Sequence, residues 1–184
     1  MQLKRSLTRM VDRVTRRDPP VVRVLRRDAT RGQAYAQAAL GDVFRRGTLA
    51  PKNYSEAAKW YRLAAEQGDA HAQFNLGVSY TGGRGVPRDD TEAVRWYRLA
   101  ADQGDAQAQY NLGLSYARGE GVTPDPIAAH MWLNLAAAHF PASDMRSRTA
   151  ATKNRDTVAS EMSADQLTEA QRRAREWKPK PPPG

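Results

Sequence analysis

Three histidines, His71, His130 and His139, are the side chains best suited to bind a metal or to move a proton at neutral pH. No two of them lie four residues apart, the spacing that presents two ligands on one face of a helix. A metal site would need carboxylates from other helices, and the chain has no cysteine to supply a thiolate. We therefore expect no metal site and no cofactor.

The segment Gly82-Gly83-Arg84-Gly85 has the glycine content of a phosphate-binding loop. It lacks the Gly-Lys-Ser/Thr ending of a P-loop and follows a predicted helix instead of a strand. A helix cap followed by a turn explains these glycines better than phosphate binding does.

Carboxylates that could act as an acid and a base occur in two pairs, Glu66 with Asp69 and Asp102 with Asp105. Both pairs lie at predicted helix ends, where capping in contact with solvent explains them better. Lone serines have no histidine or aspartate at a fixed offset, so no nucleophile is visible. The sequence predicts no catalytic residue and no enzyme.

These residues belong to a sequence that repeats every 36 residues. The glycines Gly41, Gly77 and Gly113 recur at that interval, and so do the tryptophans Trp60, Trp96 and Trp132. A fixed period of this size indicates stacked supersecondary units. The clearest copy begins at Ala72 and reads AQFNLGVSYTGGRGVPRDDTEAVRWYRLAADQGD.

Each copy predicts a helical hairpin. Helix A is expected to begin near Ala36, Ala72 and Ala108, and helix B to follow the N-cap residues Asn53, Asp89 and Asp125. Asn53–Glu56 and Asp89–Glu92 have the spacing of a capping box. The glycine in the middle of each helix A costs about 1 kcal/mol against alanine, so its recurrence indicates close packing with a neighbouring helix.

The flanks predict capping helices, which the open ends of a solenoid require. Asp18 and two prolines are expected to begin a helix over Val21–Arg31. A helix of about 18 residues from Ala142 and a last helix over Ala164–Trp177 should form the other cap, with Ser163–Gln166 as a capping box.

The chain is therefore predicted to be an all-α, right-handed α/α superhelical solenoid of three hairpins with capping helices at both ends. The predicted segments are a basic arm, helical or disordered (1–17), an N-terminal cap (18–35), three repeats spanning 36–138 (36–71, 72–107 and 108–138), a two-helix C-terminal cap (139–177) and a disordered proline-rich tail (178–184).

The formal net charge of +9 is concentrated in the flanks. Residues 1–35 carry +7, whereas residues 36–138 carry −1, so the isoelectric point alone does not indicate a nucleic-acid binder. Residues 1–17 fit a basic amphipathic helix on an anionic surface, but equally a tail or a helix that packs on the first repeat. With no secretory signal or membrane span evident, we expect a cytoplasmic location.

The pattern A…LG..Y..G.GV..D..EA..WY..AA..GD, complete in the second copy, resembles the Sel-one-like repeat family of tetratricopeptide-like solenoids. The resemblance covers about residues 32–138. The first copy departs from it at Thr48-Leu49-Ala50, where the second loop glycine is missing. The resemblance implies an adaptor that holds a protein or peptide partner in its concave face, although fold alone does not fix function.

The positions that vary between copies suggest where a partner would bind. Helix A is expected to line the concave groove with an aromatic residue, an amide and an aliphatic residue in the second and third copies. The candidate protein-binding residues are Phe74, Asn75, Val78, Tyr110, Asn111 and Leu114. Rings beside amides suit an extended peptide or a helix. Packing between neighbouring helices is the alternative for the two rings, and membrane-surface or nucleic-acid association through the arm is the alternative function.

Overall fold

The computed structural model describes residues 18–181, and this part of the chain contains nine helices and no strand. The helices are α1 (Pro20–Thr30), α2 (Ala34–Arg46), α3 (Tyr54–Glu66), α4 (Ala70–Gly82), α5 (Asp90–Asp102), α6 (Ala106–Arg118), α7 (Pro126–His139), α8 (Met145–Ala159) and α9 (Ala164–Glu176). The basic arm predicted for residues 1–17 lies outside the described residues.

The helices pack in chain order as three hairpins, formed by α2 with α3, α4 with α5 and α6 with α7. Helix α1 packs on α2, and both α8 and α9 pack on α7. The predicted all-α solenoid of three repeats is confirmed. The first helix of each hairpin begins two residues earlier than expected, because the residue that precedes it acts as the N-cap; in α4 and α6 this residue is an aspartate, Asp69 or Asp105.

The second helix of each hairpin begins at the predicted N-cap. Asn53 and Asp89 accept hydrogen bonds from the backbone N–H groups of Glu56 and Glu92, each at 3.0 Å. The reciprocal half of the predicted capping box is absent. The backbone N–H of Asn53 donates instead to the carbonyl oxygen of Phe44, and the repeat places an equivalent bond at Asp89. The glutamate side chains therefore pair with Lys59 and Arg95.

The predicted cap of the first helix is wrong. Pro19 is the N-cap residue of α1, and no side chain of residues 18–181 caps this end. The Asp18 carboxylate instead accepts two hydrogen bonds from Arg26, at 3.0 and 3.1 Å. Arg26 can reach it because it lies in α1, eight residues after Asp18. This ion pair orients the guanidinium of Arg26 over the ring of Phe44 in the first hairpin.

The glycine inside each first helix permits close contact with the second helix of the same hairpin. A Cβ atom at Gly41 or Gly77 would lie 2.6 Å from the ring of Tyr61 or Tyr97, and one at Gly113 would lie 2.7 Å from Leu133. The close packing predicted from the recurrence of this glycine is confirmed.

The interface between neighbouring hairpins uses the same contacts each time. A buried glutamine on the first helix donates to a carbonyl oxygen of the preceding helix at 3.1 Å, in the pairs Gln37–Ala29, Gln73–Ala65 and Gln109–Ala101. An arginine also lies over an aromatic ring of the next helix, in the pairs Arg26–Phe44, Arg62–Tyr80 and Arg98–Tyr116. Stacking therefore follows the 36-residue period of the sequence.

The second loop glycine is required where one hairpin follows another. A Cβ atom at Gly85 would lie 2.0 Å from the carbonyl oxygen of Tyr54, and one at Gly121 would lie 2.0 Å from that of Asp90. Leu49 occupies this position in the first copy and is exposed. Helix α1 does not begin until Pro20, two residues after the position that corresponds to Tyr54, which explains why a larger residue fits.

The last two helices cover the third hairpin, with Ala151 of α8 and Ala170 of α9 fully buried. The capping box of Ser163 and Gln166 has both hydrogen bonds. Helix α8 is shorter than predicted and begins three residues later, because Asp144 caps it by accepting from the backbone N–H of Ser147 at 3.0 Å.

Trp177 and the residues that follow it lie against the solenoid. The Trp177 ring packs on Trp132 and His139, at centroid distances of 6.4 and 5.2 Å. Beyond it, the backbone N–H of Lys180 donates to the carbonyl oxygen of Asp102 at 2.8 Å, and its ammonium group pairs with the Asp102 carboxylate at 2.9 Å. The start of the tail that we expected to be disordered is thus bonded to α5.

Candidate functional site

Two cavities lie between successive hairpins and contain most of the predicted binding residues. The first cavity has a volume of about 340 Å³ and is lined by Phe74, Asn75 and Val78 of α4 together with residues of α2 and α3. The second has a volume of about 130 Å³ and is lined by Asn111 and Leu114 of α6 together with residues of α4 and α5. Nearly every residue of the second cavity lies 36 positions after a residue of the first.

The remaining predicted residue, Tyr110, lines neither cavity. Its ring packs edge-on against Phe140 at a centroid distance of 6.3 Å, and its hydroxyl accepts a hydrogen bond from Asn154 of α8 at 3.0 Å. The C-terminal cap therefore contacts the residue that we expected to extend the groove, and Tyr110 has the packing role that the sequence left open.

Phe74 and Asn75 are bound into the structure more tightly than the sequence suggested. The Phe74 ring is half-buried and lies 6.1 Å from the ring of Tyr97. The Asn75 side chain is buried, and its amide donates to the carbonyl oxygen of His71 at 2.8 Å and approaches the His71 ring. Asn75 thus positions His71, whereas Val78 of the same helix presents an aliphatic side chain to the cavity.

A polar network behind the first cavity is centred on Asp42. Its carboxylate accepts hydrogen bonds from the hydroxyl of Tyr61 at 2.7 Å and from Arg45 at 3.1 Å, and it lies 3.1 Å from Nε2 of His71. Arg46 lies 3.8 Å from the same carboxylate. The network joins the first three helices of the two hairpins and holds the arginines beside the cavity.

The network also sets the charge of its members. Burial alone would raise the pKa of the Asp42 carboxyl, but the hydrogen bonds from Tyr61 and Arg45 and the charge of His71 outweigh it and hold the pKa below its usual value. Burial, with the hydrogen bond to Asp42, raises the pKa of the Tyr61 hydroxyl. At neutral pH Asp42 is thus an anion and Tyr61 a neutral donor.

The second cavity replaces this network with neutral bonds. The hydroxyl of Tyr97 lies 3.0 Å from Oγ1 of Thr81, which occupies the position of Arg45, and Asn111 lines the cavity beside them. Burial raises the pKa of the Tyr97 hydroxyl. The two cavities have a tyrosine and an aliphatic residue at equivalent positions, whereas their charged residues differ.

The residues that the sequence singled out as possible sources of chemistry have structural roles. Gly83 ends α4 in the left-handed conformation, so the glycine-rich segment is the helix cap and turn that the sequence suggested. The hydroxyl of Ser79 donates to the carbonyl oxygen of Asn75 at 2.9 Å and is thereby held by its own helix. Among residues 18–181, no three His, Asp or Glu side chains are grouped to hold a metal ion.

Sequence reasoning missed the residues that give the first cavity its charge, namely Arg45, Arg46 and Arg84. An alignment of the copies shows that these charges are not repeated. Val78 and Leu114 occupy the position of Asp42 in the later copies, and Glu120 occupies that of Arg84. The helical spacing of one copy does not bring Asp42 and His71 together, because they lie on different hairpins 29 residues apart.

Stacked hairpins with a 36-residue period, with two cavities in the same register between them, define an α/α repeat protein. The Sel1 repeat model matches residues 34–69, 70–105 and 106–139, which is more than half of the chain. The chain therefore belongs to the Sel1 repeat family, whose members are generally protein–protein interaction scaffolds. No curated protein matches it.

Two solved structures are similar to this chain. The protective antigen c5321 of uropathogenic Escherichia coli, which displays an SLR fold, is 34% identical over 85% of this chain, with a TM-score of 0.74. A Sel1 repeat protein from Oxalobacter formigenes is 40% identical over 63% of this chain, with a TM-score of 0.59. The chain spans 32% and 45% of the lengths of those two proteins.

Within residues 18–181, no helix combines the length and the apolar character needed to cross a membrane.

Proposed function

We propose that this protein is a non-catalytic scaffold that binds a segment of a partner protein in the groove formed by α2, α4 and α6. The observation that carries the proposal is the pair of cavities in the same register, one between each pair of neighbouring hairpins. A partner segment that crosses two hairpins would meet both, so that side chains along it would occupy successive cavities.

The chemistry of the groove suits such a segment. Val78 and Leu114 are half-buried aliphatic residues at equivalent positions of the two cavities, and Asn111 adds an amide to the second. Apolar anchors surrounded by polar groups are typical of protein interfaces in which a few residues supply most of the affinity. Asn75 contributes to binding indirectly, because its buried side-chain amide bonds to His71 and holds that residue in place.

The proposal is tested with peptides selected from a random display library on the intact chain. We expect Val78→Asp and Leu114→Asp each to weaken the binding of the selected peptides at least about tenfold, because a buried carboxylate opposes an apolar contact. The matched control is Leu63→Asp on α3, whose side chain is 44% exposed and lines neither cavity. This variant should bind as the unmodified chain does.

Circular dichroism and melting temperature are measured first, so that lost binding is not mistaken for lost folding. If the variants are folded and bind all selected peptides with unchanged affinity, or if the library yields no binder, the groove is not the binding surface.

A further inference from the structure

The two cavities differ in charge although they share a register. The first is lined by Arg45, Arg46 and Arg84 together with His71, and no carboxylate lines it among the described residues. At the positions 36 residues later, Arg45 and Arg46 become Thr81 and Gly82, and Arg84 becomes Glu120. The second cavity is lined by two acids, Asp90 and Glu120, and by Arg118.

The acids near the two cavities differ in how many cationic side chains each one pairs with. In the second cavity each acid has its own arginine, with Asp90 paired to Arg88 at 2.8 Å and Glu120 to Arg118 at 3.8 Å. Near the first cavity, Arg45, Arg46 and His71 share the carboxylate of Asp42, and Asp105 also lies close enough to His71 to interact with its charge. Positive charge at the first cavity therefore exceeds the negative charge that faces it.

Of the three arginines that line the first cavity, Arg84 is the one without an ion pair among residues 18–181. It lies over the ring of Tyr54, with its guanidinium carbon 5.8 Å from the ring centroid. Because a guanidinium presents a planar fork of N–H donors, an arginine that is only stacked on a ring retains donors for a carboxylate.

We propose that the first cavity binds the carboxylate of an aspartate or glutamate side chain on the partner segment, through Arg84 and Arg46. The proposal rests on the proposed function and adds the chemistry of the partner to it. Phe74 and Val78 line the same cavity, so the acidic residue of the partner has an apolar neighbour. The second cavity has no such excess of positive charge, because Arg88 and Arg118 are paired with its two acids, so the acidic residue favours the first cavity and the segment has one direction.

The distribution of charge favours an acidic peptide over a nucleic acid. A phosphate backbone would require positive charge along the whole groove, and one hairpin further on Arg88 and Arg118 are already paired with Asp90 and Glu120. The arm of this chain is also a poor occupant, because residues 1–17 contain six Lys or Arg and one Asp.

The test uses two peptide display libraries on the intact chain, one with all residue types and one without aspartate and glutamate. We expect binders with a recurrent acidic residue from the first library. Arg84→Glu should weaken their binding at least about tenfold, and salt should weaken it for the unmodified chain. The matched control is Arg148→Glu on α8, which makes the same charge change at an exposed position and should leave binding unchanged.

A charge swap identifies the contact. Changing the acidic residue of a selected peptide to lysine should weaken binding to the unmodified chain and restore part of the binding to Arg84→Glu, which a purely structural effect of the substitution would not do. Competition by a mixed-sequence RNA oligonucleotide that is lost in Arg84→Glu would overturn the proposal in favour of phosphate binding.

The outcomes separate this inference from the proposed function. If the acid-free library yields binders that are sensitive to Val78→Asp and insensitive to Arg84→Glu, the groove binds protein segments and the carboxylate proposal is wrong. If binders from both libraries are insensitive to every groove variant, the proposed function fails, and this inference fails with it.

Discussion

The Nδ1 atom of His139 lies 2.8 Å from Oε1 of Gln109, at the position where the two earlier hairpins have a glutamine. In those hairpins Gln67 donates to Gln37 at 2.7 Å, and Gln103 donates to Gln73 at 2.8 Å. Because the amide nitrogen of Gln109 donates to the carbonyl oxygen of Ala101, its oxygen accepts, and Nδ1 of His139 carries the hydrogen. The third hairpin thus keeps the bond with a different side chain.

Two substitutions of His139 should separate hydrogen bonding from packing. His139→Gln restores the residue of the earlier hairpins and keeps the hydrogen bond, so only the ring contact with Trp177 is lost, and the free energy of unfolding at pH 7.5 should fall less than in His139→Phe. His139→Phe keeps a ring beside Trp177 but leaves the buried Gln109 oxygen without a donor, which should cost about 1–3 kcal/mol. Urea denaturation measures both, and equal stability of the two variants would contradict the bond.

His130 should make stability depend on pH. Burial lowers its pKa, and the nearby charge of Arg155 adds to the effect. A lowered pKa means that the unfolded chain binds a proton at a higher pH than the folded protein does. The stability from neutral His130 is therefore complete above about pH 6.5, the usual pKa of an unfolded histidine, and is lost as pH falls towards the lowered value.

The measurement compares melting temperatures at pH 7.5 and pH 5.5 for the unmodified chain and for His130→Val. Valine is the residue at the same position of the preceding hairpin, where Val94 is buried. We expect the unmodified chain to lose more stability on acidification than the variant. An equal loss would show that His130 does not contribute.

Gly77→Ala should destabilise the second hairpin. Its Cβ atom would lie 2.6 Å from the Tyr97 ring, and such overpacking costs about 1–3 kcal/mol. Gly82→Ala is the matched control, because a Cβ atom there would meet only the flexible side chain of Arg84, at 3.4 Å. Alanine's better helix propensity should make that variant as stable as the unmodified chain or more so, by up to about 1 kcal/mol. Thermal melts of both variants test the difference.

Local signals predicted most of the fold. Helix starts were predicted from the N-caps Asp69 and Asp105, and close packing from the glycine in the middle of each first helix. These signals act within one or two hairpins, so a single copy predicts its own hairpin and the other copies repeat the prediction. The start of α1 at a proline was predicted, but the cap was not, because the Asp18 carboxylate accepts hydrogen bonds from Arg26 and not from the backbone at the helix end.

The candidate site could be predicted only in part. The periodicity selected five residues that line the two cavities, but it could not show that Asn75 bonds to its own helix or that α8 contacts Tyr110. Both contacts depend on side-chain direction or on helices outside the repeat. The Asp42 network was missed for the same reason, since its members come from three helices.

The sequence also predicts how the basic arm could bind. If residues 1–17 bind an anionic surface, liposomes that contain acidic lipid should sediment the protein at low salt and release it at high salt. A chain without these residues should remain in the supernatant, and neutral liposomes are the control. Equal sedimentation with neutral liposomes would contradict the prediction.

The identical contacts on both sides of the middle hairpin make residues 70–105 an interchangeable unit. Its Gln73, Tyr80 and loop Gly85 meet in the first hairpin the equivalent partners that Gln109, Tyr116 and Gly121 of the third hairpin meet in the middle one. A tandem duplication of these 36 residues would create one new interface, between the two copies, and would satisfy it without any other change. The groove would lengthen by one cavity, while the network of Asp42, which occurs once, would stay at one end. Evolution can therefore change the length of the groove and the charge of its end independently.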